Sequence, residues 1–424
     1  MSKEVAAKPP QAQFPKQGAI YALSQMRAWL GQRQSLDAAK TAFGVWLALR
    51  LYCSLIGGVL FISIPSGKLA TQIQTIFARN TAACPHYLLS STGLDGALAG
   101  IWWRWDTPWY GEIAAHGYTC YGSSAFMPLY PLLMRGLGSV LGGNLLAAAL
   151  VISSLASFVA FYLLYLLAHE LSGSPAIART SVTALALFPT SFFLMAGYTE
   201  ALFLALAIGS YLAARRGSWW LAGTLAALAT LTRLQGIFLL VPLGLELWLS
   251  HRSNLRRWQS WLALCLAPGA LALYTLFIWL TQGVFPPWGP LSSVWGLHYA
   301  WPWQGIGQDL GALISQPELV FTFKLLDPLA ALLFAIAAIV AFRRLNRPLA
   351  GFLVIMWLSS VIKVNADGYT TSISRYMLAL FPTFLLLGML LDRWPHLARL
   401  GAALVAGLLL TLYLLIFLLG GWVA

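Results

Sequence analysis

Long apolar runs alternate with short polar interruptions along this chain, and the length of the runs sets the first expectation. Runs of about 20 apolar residues recur, each enough to cross ~30 Å of hydrocarbon as a helix. Eleven such segments are predicted, at about 44–66, 145–169, 177–195, 199–214, 218–232, 235–250, 258–281, 323–342, 348–363, 376–391 and 400–422. A transmembrane barrel calls for ~10-residue alternating segments instead. The expected fold is therefore an all-α polytopic membrane domain over residues 44–424, preceded by a polar segment at 1–43. The first apolar run starts near Phe43, too far along for a standard signal peptide, and reads as an uncleaved anchor.

The interruptions orient the helices. Arg215 and Arg216 follow the fourth segment; Arg252, Arg256 and Arg257 the sixth; Arg343, Arg344 and Arg347 the eighth; Arg393 and Arg399 the tenth. All fall on the side of the basic N-terminus, the cytoplasmic side by the bias of Lys and Arg toward inner loops. The stretch Ala125–Leu141 is apolar but short, holds Pro128, Pro131 and Arg135, and breaks the parity if counted as a span. It is expected as a re-entrant or surface-lying helix on the outer side, where protein or water can satisfy its backbone. Two large outer loops result, at about 67–144 and 282–322.

Composition agrees with this frame. The 424 residues are 59% hydrophobic and 9% charged, against roughly 25% charged in a soluble domain. The net charge of +13 belongs to cationic inner loops rather than to a nucleic-acid surface. No Walker motif, dinucleotide fingerprint or Asp-x-Asp pair is present, and no inner loop is long enough for a soluble domain. A nucleotide-using enzyme facing the cytoplasm is not expected on those grounds.

The polar chemistry collects at the outer rim. The stretch "WRWDTPWYGEIAAHGY" (103–118) holds Arg104, Trp105, Asp106, Trp109, Tyr110, Glu112 and His116. Pro108 suits a first helical position with Thr107 as its cap, and Gly117 suits the end. Asp106 then lies at the positive end of the helix dipole, which favours its ionised form. Trp109, Glu112 and His116 share one face. Arg233 in "LTRLQG", Arg375 in "SISRYMLALFP" and Lys363 add cations on the side where cations are otherwise rare, and Glu200 in "GYTEAL" adds a second carboxylate. Ionisable groups near a membrane usually have partners or tasks. Cys84 and Cys120 both fall in the first outer loop, where a disulfide between them is permitted. Such a bond contributes roughly 3–4 kcal/mol in the chain-entropy model. Cys53 and Cys265 lie within predicted spans and read as packing residues.

Several blocks carry a family likeness. "WDTPWYGEIAAHGY" with "AFMPLYPLLMRGL", then "ALFPTSFFLMAGYTEALFLAL", "ARRGSWWLAGTLAALATLTRLQGIFLL" and "SRYMLALFP", resemble the PIG-V-type mannosyltransferases, whose best-known member adds the second mannose in glycosylphosphatidylinositol-anchor assembly. "WGLHYAWPWQGI" is similar to the second outer loop of that family more loosely. The resemblance implies a GT-C membrane glycosyltransferase that takes mannose from a polyprenyl- or dolichyl-phosphate carrier on the extracytoplasmic side. It assigns the essential acid to the first outer loop, which maps onto Asp106. The family acts on an anchor made in eukaryotes, whereas this compact chain reads as prokaryotic. A prokaryotic cell membrane is therefore expected, or the endoplasmic reticulum membrane if eukaryotic, and the acceptor, a lipid or a glycan, stays open.

The residues fit such chemistry. An acceptor hydroxyl loses a proton as it attacks the anomeric carbon, and a positioned carboxylate takes it; Asp106 is the first choice and Glu200 the second. Direct attack inverts the anomeric centre. Arg233, Arg375 and Lys363 suit the leaving lipid phosphate. Tyr198, beside Glu200, and Gln235, just past Arg233, are expected at the substrate, as are Arg104, Trp295 and His298. Glu112 and His116 either bind sugar hydroxyls or pair with each other. Trp105, Trp109 and Tyr110 either stack on substrate or anchor the loop. No tightly bound cofactor is expected; a divalent metal is allowed by the acids but has no tight ligand spacing behind it. The partners are membrane lipids, the lipid-linked donor and the acceptor, with no nucleic acid and no partner subunit identified. Two other classes stay open: a lipid or sugar transporter, to which Asp327 and Arg50 within the spans point, and a non-catalytic scaffold of a glycosylation complex.

Overall fold

The computed structural model describes residues 16–63, 100–250, 257–315, 323–421 and 423. Among these the regular structure is helical apart from one small antiparallel ladder, in which β1 (His298–Tyr299) pairs with β2 (Lys363–Val364), and a single bridge between Val364 and Thr370. The helix α1 runs unbroken over Lys16–Ser63, so the change from polar to apolar sequence at 43–44 falls inside one helix. Two short helices follow, α2 (Asp106–His116) and α3 (Leu129–Val140). The bundle then continues with α4 (Leu145–Ser172), α5 (Pro175–Ala186), α6 (Glu200–Arg215), α7 (Trp219–Thr232), α8 (Leu240–Ser250), α9 (Arg257–Leu264) and α10 (Leu266–Gln282). After the single turn α11 (Pro290–Ser293) come α12 (Pro302–Ser315), α13 (Phe323–Arg344), α14 (Arg347–Val361), α15 (Ile373–Met377), α16 (Phe381–Leu391) and α17 (His396–Leu418).

Five helical stretches are long and apolar enough to cross a bilayer: Gln34–Ser63, Leu145–Ser172, Trp258–Gln282, Leu325–Arg344 and His396–Leu418. Their outward faces carry Leu273, Leu280, Leu332, Ile339, Leu404 and Leu408, all well exposed. Apolar stripes of that extent suit lipid rather than water. The chain is a multi-pass membrane protein. Each of the other predicted segments contains helix as well, but two are interrupted. The segment expected at 177–195 stops as α5 at Ala186 and resumes as a 3-10 turn at Ser191–Leu194; that expected at 376–391 divides into α15 and α16. The cause is the same in both: Pro189 and Pro382, each following Leu-Phe, lack the N–H that a continuing helix needs. The two breaks face each other. Phe188 meets Phe384 edge-on at 5.6 Å, and Thr190 Oγ1 donates to the Ser374 carbonyl at 3.0 Å.

Local sequence sets the helix ends. Asn144, Ser174 and Asn346 cap α4, α5 and α14 by accepting from the backbone N–H of Ala147, Ile177 and Leu349. Gly173 ends α4 in the left-handed region. Close helix approach rests on small residues. A Cβ on Gly223 of α7 falls 2.0 Å from the Ala263 carbonyl oxygen, and one on Gly388 of α16 falls 2.1 Å from Ser181 Oγ. The two charges read within the spans both have structural partners. Asp327, 3% exposed, accepts from the N–H groups of Ile373 (3.2 Å) and Ser374 (2.8 Å), capping α15. Arg50 Nη2 donates to the Leu150 carbonyl at 3.3 Å.

Candidate active site

Two ionic layers mark the ends of α6. At its C-terminal end Arg215 pairs with Glu170 at 2.7 Å, and Tyr211 donates to Glu246 at 2.8 Å. At its N-terminal end stands Glu200, fully buried. The layers are separated by ~22 Å of apolar helix, from 1.5 Å of rise per residue.

Around Glu200 four segments converge. Its Oε1 accepts from both Arg233 Nη1 and Arg375 Nε. Arg375 Nη2 also pairs with Asp106 Oδ2 at 2.6 Å, and Arg233 Nη1 donates to Thr199 Oγ1 at 3.0 Å. Three aromatic rings flank the cations: Arg375 lies 4.6 Å over Tyr198 and 5.2 Å over Phe193, while Arg233 and Lys363 lie 5.5 and 5.2 Å over Tyr376. Both carboxylates sit in the first turn of a helix, Asp106 on α2 and Glu200 on α6, where the dipole favours negative charge.

The chain reaches this geometry through special backbone positions. Arg233 ends α7 in an extended conformation, and the 3-10 turn Leu234–Leu239 reverses the chain. Gly236 makes that reversal feasible, because a Cβ there falls 2.3 Å from the Thr230 nitrogen. The only non-glycine residues with positive φ among the described residues are Trp105 (53°) and Ser372 (56°). Each stands at the start of a site helix, α2 or α15, and such conformations cost about 1–3 kcal/mol. The helix start differs from the expected Thr107 cap. α2 begins at Asp106, not at Pro108, and Thr107 instead sends its hydroxyl to the Gly197 carbonyl at 3.2 Å. The strained Trp105 turn brings the helix start forward. Gly117 does end the helix, with φ of 81°.

A cavity of about 340 Å³ opens beside the cluster, at the low end of small-ligand pockets of about 300–1,000 Å³. Its wall includes Asp106, Tyr110, Arg233, Gln235, Trp295, Lys363 and Arg375, seven of the residues picked from sequence. A smaller cavity of about 230 Å³ adjoins it, sharing Trp288, Leu291, Leu297 and Lys363 and adding His298. Burial pushes the Lys363 ammonium down to about 8, with the Arg233 guanidinium adding to the shift. α14 ends at Val361, so Lys363 stands beyond the helix, in β2.

Other picks lie off the cavity wall. Glu200 is sealed behind the two arginines. Tyr198, 1% exposed, donates to the Arg104 carbonyl at 3.1 Å and accepts from the Asp106 N–H at 3.4 Å. Arg104 is 3% exposed and faces backbone carbonyls. Glu112 and His116 pair with each other at 2.9 Å. Trp109 stacks on Phe126 at 5.6 Å and abuts Trp295 at 5.1 Å, so it anchors the loop; Trp105 packs against the bundle core. Cys120 is disulfide-bonded while Cys53 and Cys265 are free; Cys84 lies outside the described residues. No group of three His, Cys, Asp or Glu gathers among the described residues. The wall also holds Thr199, Asn365, Ser372 and Tyr376, which sequence reasoning passed over. Thr199 and Tyr376 adjoin Glu200 and Arg375, and "VNADGY" after Lys363 carries an Asp-Gly turn signal.

The fold and site thus define a class: a multi-pass helical membrane protein with a buried ionic pocket at one end of its bundle. Within that class the sequence resembles the PIG-V-type mannosyltransferases, and a family model described as mannosyltransferase (PIG-V) matches residues 50–250. GPI alpha-1,6-mannosyltransferase 2 of Mus musculus is 32% identical over 220 residues, 48% of this chain and 44% of that protein. The Cricetulus griseus protein of the same name is 35% identical over 169 residues, 37% and 34% respectively. GPI mannosyltransferase 2 of Schizosaccharomyces pombe is 28% identical over 180 residues, 40% and 37%. The chain spans 30% to 44% of the length of the curated relatives it matches. Among solved structures, ArnT from Cupriavidus metallidurans bound to undecaprenyl phosphate aligns with a TM-score of 0.47 at 15% identity, covering 82% of this chain and 62% of that one.

Proposed function

We propose that this chain is a mannosyltransferase that moves a hexose from a polyprenyl-phosphate donor to a hydroxyl of a lipid or glycan acceptor, with inversion, on the extracytoplasmic face. One observation carries the reading: in a chain with 9% charged residues, a carboxylate, two guanidinium groups and an ammonium converge on one cavity. The acceptor oxygen forms a bond to the anomeric carbon as the bond from that carbon to the phosphate oxygen breaks. The acceptor proton passes to Asp106, and the lipid phosphate leaves as an anion.

The charges divide the labour. Glu200 and Asp106 offset Arg233 and Arg375, which leaves Lys363 as the uncompensated cation of the cluster, matched to one phosphodiester. Glu200 holds the arginines, and Arg375 in turn holds Asp106 toward the cavity. α6 supports that face: its other end carries Arg215 and Arg216, and Lys and Arg concentrate in the cytoplasmic loops of multi-pass proteins. The likeness to proteins named mannosyltransferases supports mannose as the sugar.

Asp106→Asn tests this in membranes given labelled polyprenyl-phosphate mannose and total lipid extract. Transfer falls by about 100-fold or more, in line with loss of a general base, while donor binding persists. Native-like transfer by the variant removes Asp106 from the reaction.

A further inference from the structure

The helix α17 lies beyond the region matched by the family model, and most of it meets the bundle only lightly. Its outward residues include Leu397, Leu404 and Leu408, 80%, 61% and 70% exposed. Its buried residues gather at the C-terminal end: Leu410, Tyr413, Leu414, Phe417 and Leu418. What they touch is the approach to Asp106. Arg104 Nη2 donates to the Leu418 carbonyl at 3.1 Å, at the negative end of the α17 dipole. The Phe417 ring lies 6.4 Å from Trp102, 5.4 Å from Phe193 and 5.9 Å from Tyr198. Leu418 and Ile101 fill the space over Gly57 of α1, where a Cβ falls 2.7 Å from Ile101 Cδ1.

Arg104 is an unusual residue to bury here. Among the described residues no carboxylate pairs with it, and its Nε has no hydrogen-bond partner. Its other nitrogens face the carbonyls of Gly100, Trp103 and Leu418. A buried cation without a counter-ion is costly, so a helix C-terminus is a fitting place for it. Its own carbonyl accepts from the Tyr198 hydroxyl, the same hydroxyl that accepts from the Asp106 N–H. Between Arg104 and Asp106 stands Trp105 with φ of 53°, a conformation that persists only when its surroundings enforce it.

We infer that the C-terminal turn of α17 positions Asp106: the Leu418 carbonyl holds Arg104 while Phe417 packs on Tyr198, and Arg104 with Tyr198 fixes the strained turn from which the Asp106 carboxylate is aimed. Arg104 and Phe417 are positioning residues; neither lines the cavity. The inference rests on the proposed transfer reaction for its kinetic readout only. The test uses the full chain in lipid bilayers, with Arg104→Gln, Arg104→Lys and Phe417→Leu. Three quantities are read: the kcat and donor KM of transfer, binding of polyprenyl phosphate, and hydrogen exchange of the 104–107 amides. Arg104→Gln and Phe417→Leu lower kcat by about 100-fold, the scale of a 1 Å misplacement, with donor KM and polyprenyl-phosphate binding unchanged and exchange at 104–107 accelerated. Arg104→Lys restores part of kcat. Unchanged exchange at 104–107, or native kcat in folded Arg104→Gln, overturns the clamp; where Arg104→Gln does not fold, Phe417→Leu decides by the same criteria. If the native chain transfers no sugar, the proposed function fails, and the exchange data alone decide the clamp.

Discussion

Glu200→Gln separates a carboxylate that organises the site from one that reacts in it. Glu200 Oε1 takes both arginines, in a place with no exposed surface. A unit-charge pair at about 4 Å is worth about 4 kcal/mol at an effective dielectric constant of 20, and much of that is offset by desolvation. What survives is measured by removing one partner of a buried pair, which costs about 3–5 kcal/mol because the other is left uncompensated. Glutamine keeps the shape, and its carbonyl oxygen can still accept from both guanidinium groups, but three cations then share one carboxylate, Asp106, and the net charge of the cluster rises from +1 to +2. The expected result is a protein destabilised by about 3–5 kcal/mol, with lowered kcat and donor affinity that does not fall, since the phosphate meets more positive charge. The assay pairs thermal unfolding in bilayers with labelled-donor kinetics. If Glu200→Gln unfolds at or above the native temperature and abolishes kcat, while Asp106→Asn retains activity, Glu200 is the reacting base and Asp106 is not.

The remaining predictions concern neighbouring groups. The Lys363 ammonium is charged below about 8 and loses its proton as pH rises through that value. A phosphodiester does not titrate there, so kcat/KM for the donor falls from pH 7 to pH 9; Lys363→Arg flattens that limb, and an unchanged limb in the variant assigns it to another group. Gly236→Ala forces a methyl into the backbone of Thr230 and destabilises by about 1–3 kcal/mol while displacing Arg233; a variant with native unfolding temperature and donor KM contradicts the tight reversal. Cys120 is disulfide-bonded and packs with Trp109 behind Phe126 and Trp295 of the cavity wall, so Cys120→Ser lowers stability by roughly 2–5 kcal/mol and weakens donor binding; equal melting of the native protein with and without reductant argues against it.

Much of the architecture was legible because it follows from local pattern. Run length marked out helical segments, five of them long and apolar enough to cross a bilayer, and Asn144, Ser174, Asn346 and Gly173 mark helix ends by rules that act over three or four residues. The breaks at Pro189 and Pro382 were readable too, since proline's missing N–H is a property of the residue; the predicted segments at 177–195 and 376–391 ran through them because hydropathy is blind to hydrogen bonding. The residues of the site were picked out as polar exceptions in an apolar chain, and seven of them line one cavity.

What those residues do to one another was beyond the sequence. Asp106 and Glu200 looked alike as candidate bases; only the fold seals Glu200 behind Arg233 and Arg375 while leaving Asp106 at the cavity. Arg104 read as a substrate ligand, yet its partner is the Leu418 carbonyl, more than 300 positions away. Charge, hydropathy and turn preference are properties of a residue and its near neighbours, and the sequence determined whatever depends on them. Burial and pairing depend on segments distant in the chain that meet only when the helices pack, so the assignment of partners, and with it the chemistry of each ionised group, was decided by the tertiary structure.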